Sequence, residues 1–354
     1  MAQRTNPIGY CVVGAGIWGS LHVSTLARDP HVNLVAICDL DGEKARAVAQ
    51  QCGIPKVYTS HEEMLQDPEI EAVSVATPDF AHGAVSLAVV EAGRHLLVEK
   101  PMATTSEECL AVIDAAKRTG VTLMVDMHNR WNPPFVNTHE SLRSGELGEV
   151  RHIYFRLSDS IYVPLSYISW GAKTTVLWFL GPHAVDTVRW LFDDEVREVY
   201  CVRREGTLQA LGMDTPDFYT AILQFERGGV ATIEHSWIES PHTGNIFDLK
   251  CTLQATKGTV FVDASHSRYF EKYTEQTPMG YPHHPFQDAV LMPVIHGRQV
   301  GFGAESIRYF ADCLWEGRKP LVTGVDGLRA TEILEAANKS ADTGAPVQVE
   351  RHAV

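Results

Sequence analysis

The sequence predicts an α/β plus α+β architecture: an N-terminal doubly wound parallel sheet, then a C-terminal domain built on a large, mostly antiparallel open sheet. Three observations carry this. Between Ile8 and Asp39 a strand, a glycine turn, a helix and a second strand follow one another. Apolar runs and helical patterns then alternate as far as Asp126, as parallel βαβ units require. From Glu149 the pattern changes to period-two runs, the signature of strands with one buried face. At 354 residues the chain exceeds the usual size of a single core, so two domains are expected, residues 1–128 and 129–354.

The first segment carries the most chemistry. The apolar run Cys11-Val12-Val13 leads into Gly14-Ala15-Gly16-Ile17-Trp18-Gly19, a helical pattern to Arg28, and a second apolar run from Asn33 to Cys38 closed by Asp39. Gly14 suits the tight turn, Gly16 lets the backbone approach a pyrophosphate, and Gly19 lets the helix pack closely on the strand. The N-terminus of that helix offers free N–H groups and a positive dipole end to the anion. At the end of the second strand the Asp39 carboxylate can bond ribose hydroxyls and repel a 2′-phosphate. Leu40 and Asp41 follow it with no basic residue, so NAD is favoured over NADP.

Further along, the helical stretch Asp41 to Cys52 stops at Gly53. A short strand near Val57-Tyr58 precedes the capped segment Ser60-His61-Glu62-Glu63. Glu71 to Ala76 reads as a buried strand, and Thr77-Pro78-Asp79 opens a helix ending near Gly93. His95 to Val98 is the next strand, followed by Glu99-Lys100-Pro101. A helix from Ser106 to Arg118 and a strand from Val121 to Asp126 complete the series.

In the second half the strand-like runs are Ile153 to Leu157, Val196 to Arg203, Phe218 to Phe225, Val230 to Trp237, Phe247 to Leu253 and Thr259 to Val262. Arg227-Gly228-Gly229 joins two of them as a hairpin. A helix is expected over Pro182 to Leu191, and two terminal helices over Ala304 to Glu316 and Val325 to Thr343. Five or more strands exceed what two terminal helices can cover, which points to a sheet face buried in a homo-oligomer.

Composition narrows the function class. The formal charge of −14 argues against nucleic acid and anionic membranes as partners. Seven scattered cysteines without a C-x-x-C pair indicate neither a disulfide framework nor a zinc site. No apolar signal core or spanning stretch is found, so a cytoplasmic location is expected. The adjacent pair His283-His284 points to opposite sides of an extended chain and has no third ligand at a useful spacing, so no metal is expected.

Glu99-Lys100-Pro101 falls at the carboxyl end of a parallel strand, where open α/β sheets bind ligands. A lysine partly desolvated there can bond the hydroxyl or carbonyl that reacts, although a solvated loop lysine would read the same way. Gly181-Pro182-His183-Ala184-Val185-Asp186 opens an amphipathic helix, with His183 placed to project from its end. A core histidine paired with Asp186 is an equal reading. Trp170 and Lys173 lie in an irregular stretch and either line a polar pocket or form surface loop.

Together, Gly14 to Gly19, Asp39, Thr77-Pro78 with His82, Glu99-Lys100-Pro101, and Gly181-Pro182-His183 with Asp186 resemble the glucose-fructose oxidoreductase / inositol dehydrogenase / MocA family. Asn129-Arg130-Trp131, Gly145 to Glu149 and Gly344 to Val347 extend the resemblance over nearly the whole chain. It implies a Rossmann domain, then an α+β domain whose open sheet forms homodimers or homotetramers, with the active site in the cleft between them. By this resemblance Lys100 and His183 would be the catalytic pair, and Thr77, His82, Glu99 and Arg130 would lie near the cofactor, beside Gly14, Gly16, Ile17, Trp18, Gly19, Asp39, Pro78 and Lys100; Trp170, Lys173 and Asp186 are the candidates for the substrate side. The Lys100-Pro101 bond would be cis.

One position departs from the pattern: many relatives carry an aspartate four residues before the histidine, and this chain has Phe179. His183 then acts with less carboxylate support, or Lys173 shares the work. The expected activity is NAD-dependent oxidation or reduction at a secondary alcohol of a sugar, cyclitol or related polyol. The alternatives are an NAD-retaining enzyme that eliminates or hydrolyses a glycosidic bond through transient oxidation, and a non-catalytic NAD-binding regulator. Lys100 and His183 weigh against the last.

Overall fold

The computed structural model describes residues 5–243, 246–265 and 290–354. Over these residues the chain divides into two compact units, Met1–Trp131 with Val290–Thr331 and Val354, and Asn132–Ala289 with Glu332–Ala353. The pair His283-His284 lies outside the described residues.

In the first unit β1 (Ile8–Val13), α1 (Ile17–Leu26), β2 (Val32–Cys38), α2 (Gly42–Cys52), β3 (Lys56–Tyr58), α3 (His61–Met64), β4 (Ala72–Val75), α4 (His82–Glu91), β5 (His95–Glu99), α5 (Ser106–Thr119) and β6 (Leu123–Asp126) follow in sequence. The six strands form one parallel sheet in the order β3-β2-β1-β4-β5-β6. Strand order reverses between β1 and β4, and the carboxyl ends of strands at such a reversal are where open α/β sheets bind ligands. The helices start and stop where local chemistry dictates. Asp41 accepts from the N–H groups of Glu43 and Lys44 at the head of α2, Ser60 accepts from Glu63 N at α3, and Thr105 accepts from Glu108 N at α5. Gly53 and Gly120 end α2 and α5 in the left-handed region. A 3₁₀ turn, Asp79–Ala81, precedes α4, so the helix proper begins at His82 rather than at Thr77.

The second unit holds α6 (Pro133–Arg143), β7 (Val150–Asp159), α7 (Val176–Phe192), β8 (Val196–Arg204), α8 (Thr207–Ala210), β9 (Phe218–Phe225), β10 (Val230–Ser236), β11 (Phe247–Ala255) and β12 (Thr259–Asp263). With the short β15 described below, these strands form a seven-stranded sheet, β12-β11-β7-β10-β9-β8-β15. Every pairing in it is antiparallel except β7 with β10. Alternation is strict: Ile153, Phe155, Leu157, Tyr219, Ala221, Leu223, Ala231 and Ile233 are buried, while the intervening residues are at least partly exposed along most of each strand. Helix α7 packs on β7, β9 and β10. It begins at Val176, six residues before the expected start, because Thr175 caps it by accepting from Trp178 N. Pro182 therefore sits inside the helix, and His183 lies in its middle rather than at its end.

The chain then forms a two-residue pair, β13 (Val294–Ile295) and β14 (Arg298–Gln299), and the helices α9 (Phe302–Glu316) and α10 (Gly324–Thr343), before β15 (Val347–Gln348) joins the edge of the second sheet. Helix α9 packs on α1 and β1, with Phe310 edge-on to Tyr10. No helix among the described residues is long and apolar enough to cross a membrane.

Candidate active site

The glycine turn after β1 has the geometry its sequence implies. Gly14 has φ +108°, and a Cβ there would stand 2.3 Å from Ala76 O. A Cβ on Gly19 would stand 1.9 Å from Gly14 O, so helix and turn touch backbone to backbone. Gly16 is the opposite case: its φ is an ordinary −73° and a Cβ would meet nothing within 4 Å. The turn is thus closed on its protein side and open on the side where a ligand would lie. Gly16 is the N-cap of α1 without a side-chain cap, which leaves the N–H groups of Ile17 and Trp18 directed to that space. Ile17 is exposed there, and Trp18 stacks on His128 at 5.0 Å.

Asp39 belongs to the same turn. Its Oδ2 accepts from Ala15 N at 2.6 Å and its Oδ1 from Asp41 N at 2.8 Å, which fixes the carboxylate beside the loop. At the end of β4, Thr77 Oγ1 is buried with no hydrogen-bond partner among the described residues. An open glycine cradle, a fixed carboxylate and an orphaned hydroxyl make a set that a dinucleotide satisfies.

His82 ties this loop to the next. Its ring nitrogens lie 2.7 Å from Thr77 O and 2.6 Å from Pro101 O. The Lys100-Pro101 bond is cis, and Lys100 is buried, 7% exposed, at the carboxyl end of β5. Glu99 Oε2 accepts from Lys100 N at 3.3 Å, and Glu99 Oε1 meets His22 Nε2 at 3.1 Å. His22 comes from α1, three residues beyond Gly19, so the glycine helix and the lysine loop share one buried contact. Arg130 is turned toward α10, where its Nη2 donates to Asp326 Oδ1 at 2.8 Å.

Electrostatics around Lys100 are unusual. Burial would raise the Glu99 carboxyl, but the His22 hydrogen bond and the charges of His22, His128 and Lys100 prevail and hold it below its ordinary range. Burial, then the Glu99 charge, pushes Asp126 well above its ordinary value. Burial takes His128 down to about 4. The ligand atoms of His22, Glu99 and Asp126 lie within 4.8 Å of one another. Sequence reasoning missed His22, Asp126 and His128. The available signal was that two successive strands, β5 and β6, both end in a carboxylate.

In the second unit His183 is 9% exposed and Asp186, one turn on, is fully enclosed. Phe179 lies one turn before His183 on the same helix face. Its ring contacts Trp170 at 5.7 Å and Trp237 at 5.7 Å, and the Trp237 indole donates to Asp159 Oδ2 at 3.2 Å. Trp170 is half-buried, and Lys173 ends a short 3₁₀ turn exposed. One turn before His183 this chain presents an aromatic wall, of which sequence reasoning found Trp170 and Phe179 but not Trp237.

The chain is similar to known proteins over both units. A family model for "Oxidoreductase family, NAD-binding Rossmann fold" matches residues 8–127, and one for the "GFO/IDH/MocA C-terminal domain" matches residues 135–261. The scyllo-inositol 2-dehydrogenase (NAD(+)) of Bacillus subtilis is 26% identical over 345 residues, covering 96% of this chain and 95% of its own. The D-apiose dehydrogenase of Paraburkholderia graminis is 25% identical over 341 residues, covering 96% and 88%. Among solved structures, GenD2 from gentamicin A biosynthesis in complex with NAD superposes with a TM-score of 0.85 at 27% identity, covering 98% of this chain and 97% of that one.

Proposed function

Because the chain belongs to the glucose-fructose oxidoreductase / inositol dehydrogenase / MocA family of NAD-binding oxidoreductases, we propose that it moves a hydride between a secondary alcohol of a sugar, cyclitol or related polyol and NAD. The observation that carries this reading is the buried Lys100, fixed beside Glu99 at the carboxyl end of β5 and linked through His82 to the Thr77 loop and through Glu99 and His22 to helix α1. NAD, when bound, supplies the hydride acceptor. Gly14, Gly16, Ile17, Trp18 and Gly19 would hold its pyrophosphate, Asp39 its ribose, and Thr77, Pro78, His82, Glu99 and Arg130 would frame the rest of it. The Lys100 ammonium orients the hydroxyl and stabilises the developing oxyanion, and His183 accepts the proton. Trp170, Lys173 and Asp186 complete the substrate side. The cofactor residues thus fall in 1–128 together with Arg130, and the substrate residues in 129–354, of which Val290–Thr331 belongs to the first unit.

Loss of one general acid or base costs about 10² to 10⁴ in rate. Lys100→Ala and His183→Ala should each lower kcat by that order while NAD titrations stay within a few-fold of wild type. Turnover by Lys100→Ala within a few-fold of wild type would remove the assignment.

The aromatic wall favours a second reading. Phe179 and Trp170 suit the C–H face of a sugar ring or an aglycone better than a polyol's hydroxyls, as a glycoside-cleaving, NAD-retaining relative would require. Release of an aryl aglycone without net NADH would select that reading.

The outer face of the second sheet is proposed as the contact for a homodimer or homotetramer. Tyr200, Val202, Ile222 and Phe261 are exposed on it, beside a polar group in which Arg156 meets Glu234, Glu239 and Asp248. A monomer by light scattering at micromolar concentration would contradict this.

A further inference from the structure

Glu99 and Asp126 end neighbouring parallel strands and pair directly in register. Both are enclosed, at 4% and 0% exposure. His22 closes the group from α1, with Nε2 3.1 Å from Glu99 Oε1 and 3.8 Å from Asp126 Oδ2. Behind it a chain of hydrogen bonds leads into the sheet: His22 Nδ1 to Ser74 Oγ at 2.9 Å, and Ser74 Oγ to Tyr10 OH at 2.9 Å. Tyr10, Ser74 and His22 have no solvent exposure, so the chain ends inside the protein and is no path to bulk water. On the other side Glu99 Oε2 accepts from Lys100 N.

Two carboxylates so confined repel each other, which disfavours a second negative charge in the group. Their surroundings differ enough to place the single charge. Glu99 receives His22 and the Lys100 N–H. Neither Asp126 oxygen has a well-formed hydrogen bond among the described residues, and its polar neighbours are Glu99, His22 and Ser306. A buried anion without donors is costly, whereas a neutral carboxylic acid is tolerated.

We propose that His22, Glu99 and Asp126 act as one positioning device for Lys100, with a single negative charge on Glu99 and a proton on Asp126, so that the lysine's main chain is anchored and its ammonium keeps a fixed counter-charge. The opposite directions in which the two carboxyl groups are displaced agree with this. The device rests on the reading of Lys100 as the group that meets substrate.

Isosteric neutral variants of the full chain separate the two carboxylates. Asp126→Asn should lower kcat much less than Glu99→Gln does, because an amide replaces an acid that is already neutral. Glu99→Gln should lower kcat about 10- to 100-fold, the size of one hydrogen bond to a charged group. Its pH–rate profile should also lose activity at lower pH on the basic side, since removal of a neighbouring anion disfavours the ammonium. Infrared spectra should show a protonated-carboxyl C=O band in wild type and Glu99→Gln that is missing from Asp126→Asn. This reading is independent of turnover, so it stands or falls separately from the role of Lys100. Asp126→Asn as damaging as Glu99→Gln, a band lost in Glu99→Gln instead, or activity abolished by a chelator and restored by a divalent cation would each overturn the proposal.

Discussion

Gly16 gives the cleanest separation of fold from cofactor binding. Its φ of −73° suits any residue, and a Cβ there would have nothing within 4 Å. Gly16→Ala should therefore fold normally, with stability within about 1 kcal/mol of wild type, since the entropy gained through the unfolded state is opposed by alanine's poorer fit at a helix N-cap. The methyl group would nevertheless stand in the space left for the pyrophosphate. If it displaces one charge-assisted hydrogen bond from the head of α1, the cost is about 1.5–3 kcal/mol, or roughly 10- to 150-fold in NAD affinity. Gly14→Ala is the control, since its φ of +108° and 2.3 Å approach to Ala76 O strain the fold itself. Thermal melts with calorimetric NAD titrations read both quantities. Gly16→Ala binding NAD as wild type does would refute the placement of the cofactor on this turn.

Two further outcomes follow from the geometry. Asp39→Ala removes the carboxylate held by Ala15 N and Asp41 N; NAD affinity should fall by roughly 10- to 150-fold while NADP, no longer repelled, changes far less, as competing cofactor titrations would read. His235 is buried, its Nδ1 donates to Leu157 O at 2.9 Å, and burial takes its pKa from 6.5 to about 4. Between those values the unfolded chain binds the extra proton, so stability is lost as pH falls from 6.5 to 4, by about 3 kcal/mol for this group. Urea unfolding of His235→Gln should show a shallower acid dependence over that window, and an unchanged slope would mean that His235 is not held neutral.

The βα half was legible because both of its signals are local: strand periodicity and caps such as Asp41, Ser60 and Thr105 lie within a few residues of what they control. Helix α7 was harder, since Pro182 reads as a first-turn residue and the Thr175 cap is a single threonine in an irregular stretch. Helix α6 carries no expectation at all; Pro133 and Pro134 read as a break, yet they occupy its first turn, where a missing N–H does no harm. The two-residue β15 is too short to show a period. Of the site, Lys100 and the glycine turn announced themselves by motif. His22 and Asp126 did not, because their meaning comes from a contact between α1, β5 and β6 that no local spacing encodes. Trp237 likewise acquires its place only when β10 brings it beside Phe179.

The claim at the centre of this account is hydride transfer from a secondary alcohol to NAD, and the most direct measurement is NADH absorbance with NAD and a panel of sugars, inositols and glycosides. NADH should accumulate in step with a polyol or sugar, and the signal should vanish in Lys100→Ala. Aglycone release without net NADH, or no turnover across a panel that nonetheless binds, would contradict it.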